Sequence, residues 1–206
     1  MSFPAKKPKN VNDFYKEYTQ RLSVGLSSLD LNELQKAIDI IIKKIVNGGI
    51  LYVCGNGGSA AISNHFFCDY LKGSSTDTNI TPKIISLSSN IEIITAISND
   101  LSYEKIFSYQ LEKIAKKDDV ILSISASGDS ENIVQAIKFG IENNLSTIAM
   151  TGFKRGRSGK LADINLHIEG DNYGIIEDCH QTLMHIISQY IRVLNMPEEL
   201  ISEKNF

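Results

Sequence analysis

The chain has 206 residues, 42% of them hydrophobic and 22% charged, with a formal net charge of −3. That length suits one domain with a sizeable core, and the mild negative charge with scattered Lys and Arg argues against a dedicated nucleic-acid groove. Three separated cysteines (Cys54, Cys68, Cys179) without a CxxC pair point to a reducing compartment, no apolar run approaches the roughly 18 residues of a membrane span, and the start MSFPAKKPKN lacks the apolar centre of a signal peptide. The expectation is a cytoplasmic protein with neither a membrane nor a nucleic acid as partner.

In chain order, residues 1–10 read as a short, mobile, basic start and residues 11–47 as helical. Within LNELQKAIDIIIKKIV, Leu31, Leu34, Ile38, Ile41, Ile42 and Ile45 keep helical spacing. Asp30 can cap that helix, with Glu33 as the matching acid of a capping box. The isoleucine run 40–42 widens the apolar face, which fits either a buried helix or an oligomer interface. From residue 48 short apolar runs alternate with helical patterns. The runs fall at 50–54, 83–87, 119–125, 146–151 and 164–168, and the helical patterns at 58–72, 90–116, 130–143 and 175–194. Short runs rich in Ile and Val suit strands buried on both faces. The alternation predicts an α/β fold, a doubly wound parallel five-stranded sheet flanked by helices, with an N-terminal helical extension. The division expected is 11–48 for the N-terminal helices, 49–196 for the sheet domain and 197–206 for a tail.

Ligands of such sheets bind beyond the carboxyl ends of the strands, and two of those ends carry unusual turns. GNGGSAA follows the first strand. Its glycines turn backbone N–H groups toward one spot, ahead of a helix N-terminus that favours an anion. SISASGDSENI, residues 123–133, follows the third strand and places Ser125, Ser127 and Ser130 around Gly128. Hydroxyls and a helix end make a phosphate cradle that needs no lysine, although the same serines could simply cap the helix. GNGGSA also satisfies the G-x-G-x-x-A dinucleotide fingerprint. That reading wants an acid at the end of the next strand, which ends Ser86-Leu87-Ser88, so no nucleotide cofactor is expected.

His65 and Asp69 stand four apart on one helical face. Glu177 and His185 are eight apart, with Gln181 midway, and His180 competes with His185. Each side chain has a plain structural alternative: His65–Asp69 as a surface pair, His185 as a core histidine among Leu183, Met184, Ile186 and Ile187, and Asn99-Asp100 as a helix-ending turn. Eight helical residues span about 12 Å, too far for Glu177 and His185 to meet one ion unless Glu177 sits at a frayed start. His167 reads as structural.

The pair GNGGSAA and S-x-SG-S, with His65, the SND segment 98–100, Phe107, the TGFKRG turn 151–156 and the ED-H----H pattern ending at His185, resembles the SIS (sugar isomerase) domain. Over residues 31–194 the chain is similar to the phosphoheptose isomerases, which convert sedoheptulose 7-phosphate to D-glycero-D-manno-heptose 7-phosphate. The resemblance implies the following residues for the site. Sugar-phosphate contacts fall on Asn56, Gly57, Gly58, Asn99, Asp100, Ser125, Ala126, Ser127 and Ser130. The zinc and catalytic positions fall on His65, Asp69, Glu177 and His185, with Asp69 and Glu177 also touching substrate.

 It further implies a homo-oligomer, a tetramer, with one zinc ion per subunit, working in the heptose supply of lipopolysaccharide or capsule. Three positions depart from that family's usual residues: Asp69 for Glu, Glu177 for Gln and Ala126 for Thr. Ala126 removes one hydroxyl donor and keeps a backbone N–H, Asp69 shortens the reach of the first acid, and Glu177 adds one negative charge.

An aldose–ketose isomerisation needs a base at C1–C2, a group that moves protons on the oxygens and a means of polarising the carbonyl. Glu177 is expected as the base and His185 as the oxygen group, with Asp69 as the rival base. Two other functions remain open: a non-catalytic SIS module that binds a phosphosugar or a protein such as DnaA, and an isomerase of a different sugar phosphate.

Overall fold

The structure is a computed structural model and describes residues 3–204. The side chains of Ile45 and Val46 lie outside that description, and so does the expected place of Ile45 on an apolar face. Two helices lead, α1 (Val11–Ser27) and α2 (Leu31–Val46). The strands are β1 (Leu51–Gly55), β2 (Ile84–Ser86), β3 (Val120–Ser125), β4 (Ser146–Thr151) and β5 (Ile164–His167). Between and after them come α3 (Gly58–Cys68), α4 (Ile91–Asp100), α5 (Ser108–Ile114), α6 (Glu131–Glu142), α7 (Gly156–Leu161), α8 (Tyr173–Asn195) and α9 (Glu198–Ile201).

The sheet is parallel throughout, in the order β2-β1-β3-β4-β5. Every residue of β1 and of β3 is buried, as strands covered by helices on both faces must be. One core lies between the sheet and α2, α3 and α8, the other between the sheet and α4, α5 and α6. The chain leaves β1 in one direction to reach β2 and in the other to reach β3, so the crevice between the ends of β1 and β3 is the topological switch point.

Three expectations are corrected, and one left open between two readings takes the first of them. The 90–116 pattern is not one helix: α4 ends at Asp100, a 3₁₀ turn covers Tyr103–Lys105, and α5 starts at Ser108. Its apolar spacing persists across the break because Ile106 and Phe107 are buried from the intervening turn. The 58–72 pattern is α-helical only to Cys68, and Asp69–Gly73 form a π turn. Asp30 does cap α2, its carboxylate accepting from the Asn32 N–H at 2.8 Å, but Glu33 accepts from Lys36 at 2.8 Å instead of closing a capping box. The isoleucine-rich face of α2 is used within the subunit: Ala37, Ile38 and Ile41 are buried, and Ile40 and Ile42 pack on the same core.

At the N-terminus Phe3 is buried against Phe14 and Tyr18, and its carbonyl accepts from the Asn172 side chain at 3.1 Å. The segment from residue 3 is therefore anchored. No helix among the described residues is long and apolar enough to cross a membrane.

The two competing histidines differ in burial. His180 is fully buried, its Nε2 3.2 Å from the Thr151 carbonyl, whereas His185 is partly exposed. Burial lowers the His180 pKa from 6.5 to about 4. A depressed histidine contributes stability that is present above pH 6.5 and lost as pH falls toward 4, because only the unfolded chain takes up the proton. The loss should approach about 3 kcal/mol. Urea unfolding at pH 7 and at pH 4.5 should show a smaller pH difference for His180→Gln than for the wild type. Equal differences in the two proteins would remove His180 as the cause.

Candidate active site

The two loops at the switch point face one another across a cavity of about 150 Å³ lined by Asn56, Ser59, Ile124, Ser125, Ala126, Ser127, Ser130, Tyr173 and Glu177. The serine loop leaves its hydroxyl protons available. Ser125 Oγ accepts from the Gly128 N–H at 3.1 Å, and Ser127 Oγ accepts from the Asp129 N–H at 3.3 Å. Ser130 occupies the N-cap position of α6 but makes no side-chain capping bond. The capping alternative therefore does not account for the Ser130 hydroxyl. Three hydroxyls and the N-terminal end of a helix favour an anion at this place.

On the opposite wall Asn56 and Asn132 exchange two amide hydrogen bonds, at 2.9 and 3.0 Å, and the Tyr103 hydroxyl donates to Asn56 Oδ1 at 2.9 Å. Asn56 is thus held rigidly beside the cavity. Gly57 is the N-cap of α3, with φ of +55°, and no side chain caps that helix start. A side chain on Gly58 would meet the Glu177 carboxylate and push it aside, so the glycine leaves Glu177 its place. Glu177 projects from the first turns of α8, whose start is fixed by Asn172 accepting from the Ile175 N–H at 3.1 Å. Among the described residues its carboxylate has no hydrogen-bond partner. Burial, and secondarily the charge of Asp178, raises its pKa above the ordinary carboxylate value.

A second cluster lies further along α3 and α8. Asp69 sits between two imidazoles, 3.4 Å from His65 Nε2 and 3.4 Å from His185 Nε2. The two rings meet edge to face at 5.0 Å. Gln181 Nε2 is 2.8 Å from His65 Nδ1 and 3.5 Å from His185 Nε2. One ligand atom from each of His65, Asp69 and His185 lies within 4.8 Å of the others. Two imidazole nitrogens and a carboxylate oxygen are a donor set suited to zinc, with a fourth position left for water or substrate. Asp69 reaches both rings from the π turn, a local widening that often marks functional sites.

Glu177 is not in that group. It lines the phosphate-sized cavity, and Gln181, one turn on, takes the place beside the imidazoles. Asn99 and Asp100 are not brought to the cavity either. They are exposed at the end of α4, where the Asn99 side chain donates to Asp100 at 2.8 Å. His167 contacts Thr151 Oγ1 at 3.1 Å and stays outside both clusters. Gln181, Asn132, Tyr103 and Tyr173 were not singled out as site residues from the sequence. Only Gln181 had a signal there, its spacing of four from both Glu177 and His185.

The class defined by this sheet order and its two loops is the SIS domain, whose family model matches residues 13–152. A protein of Thermoplasma volcanium named as a probable phosphoheptose isomerase is 37% identical over 175 residues, 85% of this chain and 89% of its own. The phosphoheptose isomerase of Helicobacter hepaticus is 37% identical over 158 residues, 77% of this chain and 80% of its own. The solved phosphoheptose isomerase of Francisella tularensis superposes with a TM-score of 0.79 at 28% identity, covering 88% of this chain and 95% of its own. The chain belongs to the SIS-domain phosphoheptose isomerase family.

Proposed function

We propose that this phosphosugar isomerase converts sedoheptulose 7-phosphate to D-glycero-D-manno-heptose 7-phosphate by proton transfer through an enediol. The observation that carries the reading is the shared cavity of Glu177 and the serine loop: an unpartnered carboxylate of raised pKa faces an anion cradle at the switch point. Ser125, Ser127, Ser130 and the start of α6 hold the phosphate, which positions the other end of the sugar. Glu177 takes the proton from C1 and returns it to C2. His185 moves protons on the sugar oxygens, for which an imidazole is suited near neutral pH. His65, Asp69 and His185 would hold a zinc ion, which when bound polarises the carbonyl oxygen.

The imidazole cluster stands about 12 Å along α8 from Glu177, so the C1–C2 unit that Glu177 and His185 both serve lies between the two, and a sugar reaching there from the serine loop must be long. Incubation with ketose phosphates of five, six and seven carbons, with and without zinc, tests this by NMR detection of aldose. Turnover of the seven-carbon ketose alone is expected. Turnover of a shorter one instead makes the chain an isomerase of a different sugar phosphate, and turnover of none favours a binding module.

The active form is a homo-oligomer, a tetramer in this reading, working in the cytoplasm. Ile186, Tyr190 and Leu194 form an exposed apolar stripe at spacing of four on α8, beside exposed Phe67 and Leu71. A second subunit packed on this face would cover it. Sedimentation should show an assembly larger than 22.8 kDa at micromolar concentration, and a stable monomer would refute it.

A further inference from the structure

We infer that Arg157 is a positioning residue for the phosphate cradle, acting by neutralising and holding back two carboxylates that border it. The inference rests on the serine loop being the phosphate site. That loop carries acids on both sides of Ser130, Asp129 and Glu131, where an incoming phosphate would meet like charge. Arg157, from α7, engages both. Its Nε donates to Asp129 Oδ1 at 3.3 Å, its Nη1 to Glu131 Oε2 at 2.7 Å and its Nη2 to the Asp129 carbonyl at 2.6 Å. Its backbone N–H adds a bond to Asp129 Oδ1 at 3.0 Å.

The backbone beneath is already fixed without the guanidinium. Gly128, with φ of +67°, packs against the Arg155 carbonyl so closely that no side chain fits, and the Gly128 carbonyl accepts from the Ser158 N–H at 2.9 Å. The side chains of Arg157, Asp129 and Glu131 are 50%, 58% and 41% exposed. Ion pairs that open to water add little to stability. The effect of this triple arrangement is therefore expected on the anion beside it and not on the fold. Lysine offers one compact charge in place of a planar fork and cannot serve both acids and the carbonyl in the same way.

The test compares the wild type, Arg157→Ala, Arg157→Lys and Arg157→Ala combined with Asp129→Asn and Glu131→Gln, together with Ser125→Ala/Ser130→Ala as a reference. Melting temperature, inhibition by inorganic phosphate, and kcat and KM for sedoheptulose 7-phosphate are measured for each. Arg157→Ala should raise KM and the phosphate inhibition constant about tenfold, the cost of about one unbalanced charge contact, with kcat and melting temperature little changed. Arg157→Lys should fall between, and removing both carboxylates should restore most of the loss. If Arg157→Ala leaves both constants unchanged while the serine variant loses binding, Arg157 has no such role and the cradle stands. If the loss persists after the carboxylates are removed, or follows the melting temperature, Arg157 is only a structural brace. If the serine variant binds phosphate and sugar phosphate as the wild type does, the cradle lies elsewhere and this inference falls with it.

Discussion

Glu177→Gln is expected to lower turnover of sedoheptulose 7-phosphate by about 10²- to 10⁴-fold, the usual contribution of a positioned acid or base, while leaving KM close to the wild-type value. Glutamine keeps the shape over Gly58 and cannot take a proton. The carboxylate is suited to the step because its burial costs the charged form and so raises its basicity. The same cost has a thermodynamic sign: a raised carboxylate pKa makes the ionised form destabilising above the unfolded value, so Glu177→Gln should melt no lower than the wild type at neutral pH. Asp69→Asn is the control for the rival base. Full turnover in Glu177→Gln together with its loss in Asp69→Asn would transfer the role to Asp69.

The second large effect concerns the phosphate. Ser125→Ala combined with Ser130→Ala should weaken binding of the sugar phosphate by roughly 3–6 kcal/mol, if each charge-assisted bond contributes about 1.5–3 kcal/mol. That is about 10²- to 10⁴-fold in affinity, read by calorimetry or by inhibition. Ser125 is almost fully buried and its oxygen already serves the Gly128 N–H, so its substitution also loosens the turn. Ser130 has no such internal duty, and Ser130→Ala alone isolates the ligand contribution. Unchanged affinity in the double variant would move the phosphate away from this loop.

The sheet was legible because its strands are buried on both faces and leave no polar alternation to misread; the run 146–151 coincides with β4. Helix interruptions were less legible. The π turn at Asp69–Gly73 is tied down by distant partners: the Ser74 hydroxyl just after it donates to the Ser188 carbonyl at 3.1 Å, and Arg192 bonds Asp77 at 3.1 Å. Helix α7 was missed because GRSGKL has no apolar period, and Ser158 bonding to the serine loop helps hold its start. In the site, His65 with Asp69 was visible as a pair at spacing of four, whereas Asp69 between two imidazoles required α3 to pack on α8. Glu177 and His185 share a face of α8, yet the rise of the helix carries them to different clusters, which spacing alone had already called into question.

The most direct measurement follows sedoheptulose 7-phosphate in D₂O by NMR with the purified chain, zinc-supplied and zinc-free. The account predicts an aldose product that carries solvent deuterium at C2 in at least part of the molecules, with Glu177→Gln slowing both formation and exchange. Absence of product and of exchange in both samples, from a folded protein that still binds the sugar phosphate, would contradict the assignment of an isomerase acting through an enediol at this site.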